Sequence, residues 1–525
     1  MQEILFSFRG CLMLTFLALV GFIGLIAMVV LILMDKTAPW ATFVIVSAIV
    51  GLGLVAVDSY GRAKGPEFSV AKTLSEVEDK RWKDVAKKQK AIIKEEKDGK
   101  VKEKIDTDKI AFNIAALKIF VQDGLKGVVN TAALFIFSIL FFTILSATGF
   151  FDRIIKSLLS LANDSIYVIM VVTVAVACVA HLDGSGASSF LIAIPALLPI
   201  YQRMNLRPTT LMLVLAVSMG VMNLLPWGGP TIRVANIISG VDSDELYAQM
   251  MPMQVVGLIL SLALALYMGF LEKSRLVKLG LYPIPKTVPP QSGGGVGAPQ
   301  LESKEDKGLR RDNLFIANLV LIILVIAALF KSGLPSFLTF MVGSVLALLL
   351  NYPNIKLQDK MLKDASSAAM MMAATLLAAG VLIGVFEYTG IMKAMAKVVL
   401  DFMPPSFGNY LVLIVGILAV PMAVIFCTDS YFYGILPIVI SVGAAFGIDA
   451  VTLGITMCVA RNCGTFISPV VPATLLGCGL AGVSIRAHLK NSFFWVWAFS
   501  IICIFAGIFL GVIDLNPGQV AAAAA

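Results

Sequence analysis

The sequence predicts an all-α integral membrane protein made of two inverted repeats, each with five spans and one re-entrant hairpin. Two observations lead to this fold class. First, 58% of the 525 residues are hydrophobic and 14% are charged, whereas soluble domains are about half apolar and a quarter charged. Second, apolar runs of about 18 to 25 residues, long enough to cross a bilayer as helices, recur along the chain, and the two halves share their landmarks in the same order.

Two polar stretches interrupt the apolar runs. Residues 58–109 are rich in Lys and Glu, a composition typical of a solvated helix or a disordered segment. Residues 272–312 contain paired prolines and three consecutive glycines, which favour a flexible linker. The predicted division is a first repeat at 1–271 with a hydrophilic insertion at 58–109 and a hairpin at 165–203, the linker at 272–312, a second repeat at 313–515 with a hairpin at 409–446, and a low-complexity tail at 516–525.

The second half repeats the landmarks of the first at an offset of about 240 residues. In each half an apolar run ends in Thr-Gly and an amphipathic stretch follows. An aspartate then separates two apolar runs, and a later run reaches an asparagine and breaks at prolines. The matching pairs are Thr148 and Thr389, Asp183 and Asp429, Pro199 and Pro437, Asn223 and Asn462, and Thr231 and Thr474. Internal duplication of this size is typical of secondary transporters.

The apolar runs on either side of Asp183, and those on either side of Asp429, are joined by short polar tips. A polar tip at membrane depth is tolerated only where protein or a water-filled cavity surrounds it, so each pair is interpreted as a re-entrant hairpin. The runs that break after Asn223 and Asn462 become discontinuous helices. Each half then has five crossings and one hairpin. Because five is odd, the two halves are inverted relative to each other.

Lysine and arginine counts in the short loops predict the orientation, since cytoplasmic loops carry an excess of these residues. Arg153, Lys156, Arg203, Arg207 and the linker share one side, which we assign to the cytoplasm, and both termini then lie outside. The lysine-rich insertion also lies outside, against the rule, although the rule weakens for long loops. The net charge of +8 is therefore interpreted as loop orientation and not as a nucleic-acid-binding surface.

Asp183 and Asp429 are the leading functional candidates, because charged groups within apolar segments are costly and usually functional. Each could hold a coupling proton or ligate a cation such as a metal ion. The alternative is an aspartate that caps a hairpin helix near the surface, but the matching positions favour function. A histidine-based metal site and disulfides are not predicted, because the chain has only two histidines and its seven cysteines form no CxxC pair.

Small residues follow these tips and breaks and predict helix N-termini, whose free N–H groups and dipole suit an anion such as a carboxylate. The candidates are Gly184, Ser185, Gly186, Ser188, Gly228, Gly229, Thr231, Ser430 and Thr474. Small residues alone could equally be helix-packing contacts.

Four larger polar residues lie near the breaks. Asn223 and Asn462 can ligate a cation, bond a substrate or simply bond a neighbouring helix. Arg233 and Arg461 are suited to pairing with carboxylates, and Arg233 could instead snorkel to the interface.

At these landmarks the chain resembles the citrate–metal:proton symporter family, CitMHS, of the larger ion-transporter superfamily. The stretches that carry the resemblance are HLDGSGASSFLIAIPALLPIY from His181, NLLPWGGPTIR from Asn223, NYPNIK from Asn351, TDSYFYGILPIV from Thr428 and SPVVPATLLGCGLAGVS from Ser468. The resemblance spans both halves apart from residues 58–109. It implies a homodimer with a scaffold domain and a transport domain that moves as an elevator. It also implies a citrate substrate, usually chelated to a divalent cation such as Mg²⁺ or Ca²⁺, that is carried with protons.

Three positions depart from the family pattern. Ser185 replaces the second aspartate of an Asp-Gly-Asp-Gly tip, Thr465 replaces a histidine that many members carry, and Arg461 stands where a small residue is usual. The site thus loses an acid and a potential metal ligand and gains a cation. This leads to the hypothesis that free citrate or a related carboxylate is handled better than the fully metal-complexed form.

Three other functions compete with this one. An intramembrane aspartyl protease typically has Tyr-Asp and Gly-x-Gly-Asp motifs, which are absent around Asp183 and Asp429, so the chain is not expected to be an enzyme. A channel can also have broken helices, but the hairpin pattern favours alternating access. The strongest competitor is a sodium-coupled dicarboxylate transporter of the same superfamily, because Asn and Thr oxygens at the breaks suit Na⁺ equally well.

Overall fold

The computed structural model describes most of the chain, except much of the linker and the alanine-rich tail. The described residues are 2–34, 37–65, 68–77, 79–97, 100–106, 109–161, 165–238, 240–283, 308–331, 334–401, 404 and 407–515. The predicted tail at 516–525 therefore lies outside them, as does the glycine- and proline-rich part of the linker.

Each half of the chain contains a series of helices, and the first half also contains two strands. The first half contains α1 (Gln2–Leu33), α2 (Pro39–Lys64), α3 (Val70–Val77), α4 (Asp79–Lys88), β1 (Ile92–Lys97), β2 (Lys100–Ile105), α5 (Ile114–Ala147), α6 (Phe150–Ser160), α7 (Ile166–Ala180), α8 (Gly186–Arg203), α9 (Pro208–Met222), α10 (Gly229–Ile237) and α11 (Ser243–Lys278). The second contains α12 (Phe315–Lys331), α13 (Ser336–Asn351), α14 (Ile355–Phe386), α15 (Ile391–Asp401), α16 (Gly408–Ile425), a π-helical segment (Ser430–Ile435), α17 (Leu436–Ala445), α18 (Ala450–Cys463), α19 (Pro472–Ala481) and α20 (Ile485–Phe509).

Eight helices are long and apolar enough to cross a membrane, counted over the residues that the structure describes. They are α1, α2, α5, α11, α12, α14, α20 and the span that α18 and α19 form together. This confirms the prediction of a helical, multi-pass membrane protein. The predicted ten crossings also include α9 and α13, which have 15 and 16 residues. At 1.5 Å per residue they are shorter than the roughly 30 Å apolar core of a bilayer, so ten crossings stay a prediction.

Two helices continue beyond their apolar runs into the polar segments, and the domain boundaries themselves stay predictions. Residues 58–64 were assigned to the insertion but belong to α2, and residues 272–278 were assigned to the linker but belong to α11. The insertion also contains one element that was not expected, the antiparallel pair β1 and β2, which align Ile92 with Ile105.

The insertion is folded against the membrane helices and is not a freely solvated segment. Asp58, which is 1% exposed, accepts hydrogen bonds from the Ser69 hydroxyl, the Ala71 N–H and the Phe112 N–H. The buried carboxylate of Asp58, near the C-terminal end of α2, therefore binds the chain at both ends of the folded insertion, at Ser69 and Ala71 and again at Phe112. Charge-assisted hydrogen bonds of this kind are about twice as strong as neutral ones.

Trp82 of α4 connects the insertion to the second half of the chain. Its side chain is fully buried, its ring lies 5.1 Å from the ring of Phe120, and its Nε1–H donates to the Thr389 carbonyl at 2.9 Å. Thr389 and Gly390, at φ +97°, form the elbow between α14 and α15. The matching elbow of the first half is Thr148 and Gly149, and there the carbonyl of Thr148 accepts from the Arg311 N–H at 3.0 Å. Each elbow is thus held by a segment from outside its own helix pair.

We expect Trp82→Phe to destabilise the protein by about 1–3 kcal/mol, because the buried Thr389 carbonyl loses its donor. The measurement is thermal unfolding of the detergent-solubilised protein. Trp40→Phe is the matched control, since Trp40 is 45% exposed, and we expect it to change stability by less than about 0.5 kcal/mol. Equal effects of the two substitutions would show that the insertion does not stabilise the membrane body.

Helices α5 and α14, which occupy the same position in the two halves, pack closely and in opposite directions. A Cβ on Gly124 would collide with the backbone of Gly380, and one on Gly384 would collide with the backbone of Phe120. Small residues permit this backbone approach, as is common between membrane helices. Because position 120 meets 384 and position 124 meets 380, the two helices are antiparallel.

The helix contacts fall into two groups. The long-helix bundle consists of α1, α2, α5, α12, α13 and α14. The broken-helix bundle consists of α7 to α11 and α16 to α20, with the π-helical segment. The amphipathic helices α6 and α15 connect them, since α6 contacts α5 and α7, while α15 contacts α1 and α17.

Candidate functional site

A cavity of about 1160 Å³ lies between the two bundles. One wall is formed by α5 and α14 of the long-helix bundle. The other is formed by the tip between α7 and α8, the break between α9 and α10, and the segment that leads into α19. Residues from both halves of the chain therefore meet around one space.

The α5 wall presents one helical face to this cavity. Phe135, Ser138, Ile139, Phe142, Thr143 and Ser146 line it, at the three- and four-residue spacing of a single face. Helix α14 contributes Asp364, Met371 and Met372 to the same wall. This wall was not among the predicted site residues, although three hydroxyls on one face of an apolar helix were a usable signal.

The cavity extends to the end of the linker. Arg310 lines it there and pairs with Asp152 at 3.2 Å and with Asp312 at 3.6 Å. Lys156 of α6 also lines this end. The charged residues at this end lie among those that predicted the cytoplasmic side.

Asp183 lies at the tip between α7 and α8 and is bound by that tip. One carboxylate oxygen accepts the Ser185 N–H at 2.9 Å, and the other accepts the Ser188 hydroxyl. Gly184 adopts φ +70°, a left-handed conformation that glycine tolerates best, which lets the chain turn from α7 into α8. The N-cap of α8 is Ser185, whose hydroxyl accepts the Ser188 N–H, while Asp183 binds this N-cap residue from two positions earlier and lines the cavity.

His181 and Trp227 anchor the tip to its surroundings. His181 is fully buried, and its Nδ1 lies 2.7 Å from the Ser189 hydroxyl, which in turn donates to the Ser185 carbonyl at 2.6 Å. The Trp227 Nε1–H donates to the Leu182 carbonyl at 2.7 Å. The Trp227 ring also packs edge-on against Phe340 of α13, with centroids 5.4 Å apart, so the tip reaches the long-helix bundle through this indole.

The small residue at position 186 lets the tip approach the second half. A Cβ on Gly186 would collide with the ring of Phe466 and would lie 3.0 Å from the Ala473 Cβ. We expect Gly186→Ala to destabilise the protein by about 1–3 kcal/mol through overpacking. Gly479→Ala is the matched control, because among the described residues no atom outside its own helix turn lies within 4 Å of its Cβ position. Alanine favours a helix, so Gly479→Ala should stabilise slightly. Thermal unfolding measures the change in stability of both variants. A change of the same sign in both would contradict the close contact at Gly186.

The two helix breaks lie side by side and are built alike. The Thr231 hydroxyl donates to the Leu224 carbonyl at 2.8 Å, and the Thr474 hydroxyl donates to the Thr465 carbonyl at 3.5 Å. Each threonine thus satisfies a carbonyl that the interrupted helix leaves free. Asn223 and Asn462 connect the breaks, with Nδ2 of the first 3.5 Å from Oδ1 of the second.

Arg233 and Asp429 form a buried ion pair between the two halves. Nε and Nη2 of Arg233 both lie 2.7 Å from Oδ1 of Asp429, and the side chains are 8% and 15% exposed. The charge of Asp429 is thus matched by an arginine in this structure, and its role as a substrate or metal ligand stays a prediction. Among the described residues no group of three His, Cys, Asp or Glu side chains could hold a metal, and metal ligation by Asp183 and Asp429 stays a prediction.

Arg461 is fully buried within the break of the second half. Its Nη1 donates to the Thr465 hydroxyl at 3.0 Å, and that hydroxyl donates to Oδ1 of Asn462 at 3.2 Å. Thr465 lines the cavity, whereas Arg461 lies behind it. The two positions that depart most from the family pattern in this region are thus in direct contact.

The cavity gathers about half of the predicted site residues. Those that line it are Asp183, Gly184, Ser185, Gly186, Ser188, Asn223, Gly229 and Arg233. The remaining candidates are packed behind the wall and do not line it: Gly228, Thr231, Asp429, Ser430, Arg461, Asn462 and Thr474. Ser430 bonds locally, with its Oγ 2.9 Å from the sulfur of Cys427.

Comparison with known proteins identifies related sequences over most of the chain. The model of the CitMHS family, described as citrate transporter, matches residues 4–460. The citrate transporter of Bacillus subtilis (strain 168) is 31% identical over 391 residues, which cover 74% of this chain and 88% of the relative. The Mg(2+)/citrate complex secondary transporter of the same organism is 30% identical over 393 residues, which cover 75% of this chain and 88% of the relative.

A solved structure of low sequence identity has a similar fold. The YdaH transporter of Alcanivorax borkumensis superposes with a TM-score of 0.54 at 12% identity, over 85% of this chain and 100% of that protein. At this identity the likeness concerns the fold alone.

Proposed function

The chain belongs to the CitMHS family of citrate transporters, and from that premise we propose that it is a secondary active transporter of citrate or a related carboxylate. Transport is coupled to a cation, for which the proton is the first candidate. The observation that carries the proposal is the cavity between the bundles. Asp183 lines it on the tip that leads into α8, and Arg233, which also lines it, is paired with Asp429.

The roles in this proposal follow from charge and hydrogen-bonding capacity. The serine-rich tip and the start of α10 offer N–H and hydroxyl donors to the substrate carboxylates. Asp183 is the site that takes the coupling proton, since it lines the cavity and its carboxylate oxygens accept hydrogen bonds from Ser185 and Ser188 and not from a cation among the described residues. The hydroxyls of Ser138, Thr143 and Ser146 complete the polar lining from the α5 side.

Alternating access by an elevator motion fits the packing of the helices. The long-helix bundle would be the scaffold of a homodimer, and the broken-helix bundle would carry the substrate. The antiparallel packing of α5 and α14 supports inverted halves, and the elbows at Thr148 and Thr389 are suited to be the hinges. The molar mass of the detergent-solubilised protein, measured by light scattering, tests the dimer. A monomeric mass would contradict the role of the long-helix bundle as the scaffold of a homodimer.

The linker is proposed to be cytoplasmic and both termini outside, so the cavity, which reaches the linker end, would face the cytoplasm. A cysteine introduced at Ser157, which is exposed on α6, tests this. It should react with an impermeant maleimide only when the cytoplasmic side is accessible. Reaction of this cysteine in intact cells would show the opposite topology, with the linker outside.

Counterflow in proteoliposomes tests the proposed function. Vesicles loaded with citrate should accumulate external labelled citrate, and malate, succinate and gluconate are compared as the loaded exchange partner. Protein-free vesicles are the control. If none of the four exchanges, the chain does not carry this class of substrate.

The metal dependence of uptake tests the form of the substrate. We propose that free citrate is preferred to its metal complex, because Ser185 adds no second acid to the tip and Arg461 adds a cation behind Thr465. Citrate uptake should therefore persist when a chelator removes divalent cations. Uptake that rises steeply with equimolar Mg²⁺ or Ca²⁺ and vanishes with chelator would reverse this proposal.

A sodium-coupled dicarboxylate transporter is the second candidate. The observation that favours it is the pair of neighbouring breaks, where asparagine side chains and backbone carbonyls lie together, since such oxygens suit Na⁺. Replacing Na⁺ with choline at constant pH separates the candidates. Substrate uptake would stop in a sodium-coupled transporter and would continue in a proton-coupled one.

A further inference from the structure

The cavity between the two bundles ends between α5 and α10, on the side away from the linker. On α5 its lining residues run from Phe135 to Ala147, and on α10 the last one is Arg233. Thr131 lies one helical turn before Phe135 and continues the same face of α5. Asn236 likewise lies one turn after Arg233 on α10. Neither Thr131 nor Asn236 lines the cavity, so the two helices close it where these residues lie.

Two side-chain contacts join the bundles at this closed end. The Thr131 hydroxyl of α5 donates to Oδ1 of Asn236 on α10 at 2.8 Å. The rings of Phe43 on α2 and Tyr433 in the π-helical segment pack edge to face, with centroids 5.6 Å apart. Asn236 and Tyr433 lie next to each other. The four side chains therefore form one continuous seam between the long-helix bundle and the broken-helix bundle.

The seam is incompletely bonded. Nδ2 of Asn236 and the hydroxyl oxygen of Tyr433 are buried and have no hydrogen-bond partner among the described residues. Buried polar groups are nearly always bonded, and an unbonded one is costly because it has lost its hydration. Tyr433 also belongs to the π-helical segment Ser430–Ile435, and single π-helical turns are rare and frequent at functional sites. The seam is thus closed but weakly held, which suits a contact that opens during use.

We propose that this seam is the gate that closes the cavity on the side opposite the linker, and that it separates once in every transport cycle. The inference rests on the proposed function, in which the broken-helix bundle moves against the long-helix bundle. In this structure the cavity reaches the linker end, and the seam blocks the other side. The Thr131–Asn236 hydrogen bond joins the two bundles, so the movement has to break it.

A reversible bridge between the two helices tests the gate. Thiols are introduced in the pair Thr131→Cys and Asn236→Cys and are bridged with Hg²⁺, and the loss of one pair of free thiols confirms the bridge. Citrate–citrate exchange in proteoliposomes should then fall to the rate of protein-free vesicles, because exchange requires the tip to reach both sides. Excess dithiothreitol should restore it. Each single-cysteine variant is treated in the same way, to account for the native cysteines.

The matched control is a bridge within one bundle. Asn318 of α12 and Asn351 of α13 exchange two amide hydrogen bonds at 2.9 and 2.8 Å, and both helices belong to the long-helix bundle. Bridging Asn318→Cys to Asn351→Cys should leave exchange unchanged. Citrate should still raise the melting temperature of the protein bridged at the seam, since the cavity stays open at the linker end. This separates a trapped carrier from an unfolded one.

Three outcomes are decisive. Exchange that continues at its earlier rate after bridging at the seam would show a fixed interface and overturn the gate. A cysteine pair at 131 and 236 that does not bridge would show that the two positions are not in contact, which also overturns it. If unmodified wild type exchanges neither citrate nor a related carboxylate, the proposed function itself fails.

Removing the hydrogen bond gives a second test that needs no bridge. Ala187 is exposed at the tip and lines the cavity, so Ala187→Cys reports which side the tip faces. Combined with Thr131→Val, its reaction with an impermeant maleimide from the side opposite the linker should become about 2- to 10-fold faster, because the closed gate has lost one hydrogen bond. Thr131→Ser keeps the hydroxyl and should react at the original rate. An unchanged rate in Thr131→Val would overturn the role of this hydrogen bond.

Discussion

Asp183→Asn is expected to abolish uphill citrate accumulation while leaving citrate–citrate exchange in place. Asparagine keeps the shape of the tip, since its oxygen can accept the Ser185 N–H and its amide can donate to the Ser188 hydroxyl that bond Asp183 in the native protein. It resembles a permanently protonated aspartate. Exchange uses only the loaded carrier and needs no proton release. Net symport requires an empty, deprotonated carrier to return, so it stops.

Two transport assays on the same proteoliposomes measure this. Uptake driven by an imposed pH gradient should fall to the rate of protein-free vesicles, and counterflow should stay close to that of wild type. Asp364→Asn is the matched control, because Asp364 also lines the cavity but is exposed on α14, and it should affect neither assay. Loss of both activities in Asp183→Asn would instead make the carboxylate a ligand of substrate or Na⁺.

The fold was largely predictable because each landmark of the repeat is local. A Thr-Gly pair ends a long helix at 148 and at 389, and both glycines adopt a left-handed conformation there. The tips and breaks likewise follow from polar or proline residues within apolar runs. The folding of the insertion was less predictable. Its buried apolar residues Val70, Leu74 and Trp82 are few and are surrounded by charged residues, so the lysine-rich composition of the segment indicates a solvated stretch.

The candidate site was predictable only in part, because its decisive contacts join distant positions. The tip at 183–188 could be located from its own residues, whereas the pairing of Arg233 with Asp429 spans 196 positions. Each of these two residues alone resembles a substrate ligand, and only their contact shows that they neutralise each other. The contact between Arg461 and Thr465 is short in sequence, at one helical turn, and that spacing was a signal that the two departures belong together.

The Arg233–Asp429 pair is expected to be the most strongly coupled pair of side chains in the broken-helix bundle. Arg233→Gln or Asp429→Asn alone should destabilise the protein by about 3–5 kcal/mol, because each leaves an uncompensated buried charge. The double variant should lose clearly less than the sum of the two, since glutamine and asparagine can bond each other without a charge. The double-mutant cycle, measured by equilibrium unfolding in mixed detergent micelles, gives the coupling energy.

The Arg310–Asp152 pair provides the comparison, because its side chains are 30% and 44% exposed. Exposed pairs contribute about 0–1 kcal/mol, so Arg310→Gln should have little effect on unfolding. The contrast decides between two roles for Arg233. A large coupling commits this arginine to Asp429 and to joining the two halves, so binding of the substrate carboxylates is left to the tip at 183–188. A coupling no larger than that of the exposed pair would free Arg233 to bind carboxylates directly, as its position beside the break first indicated.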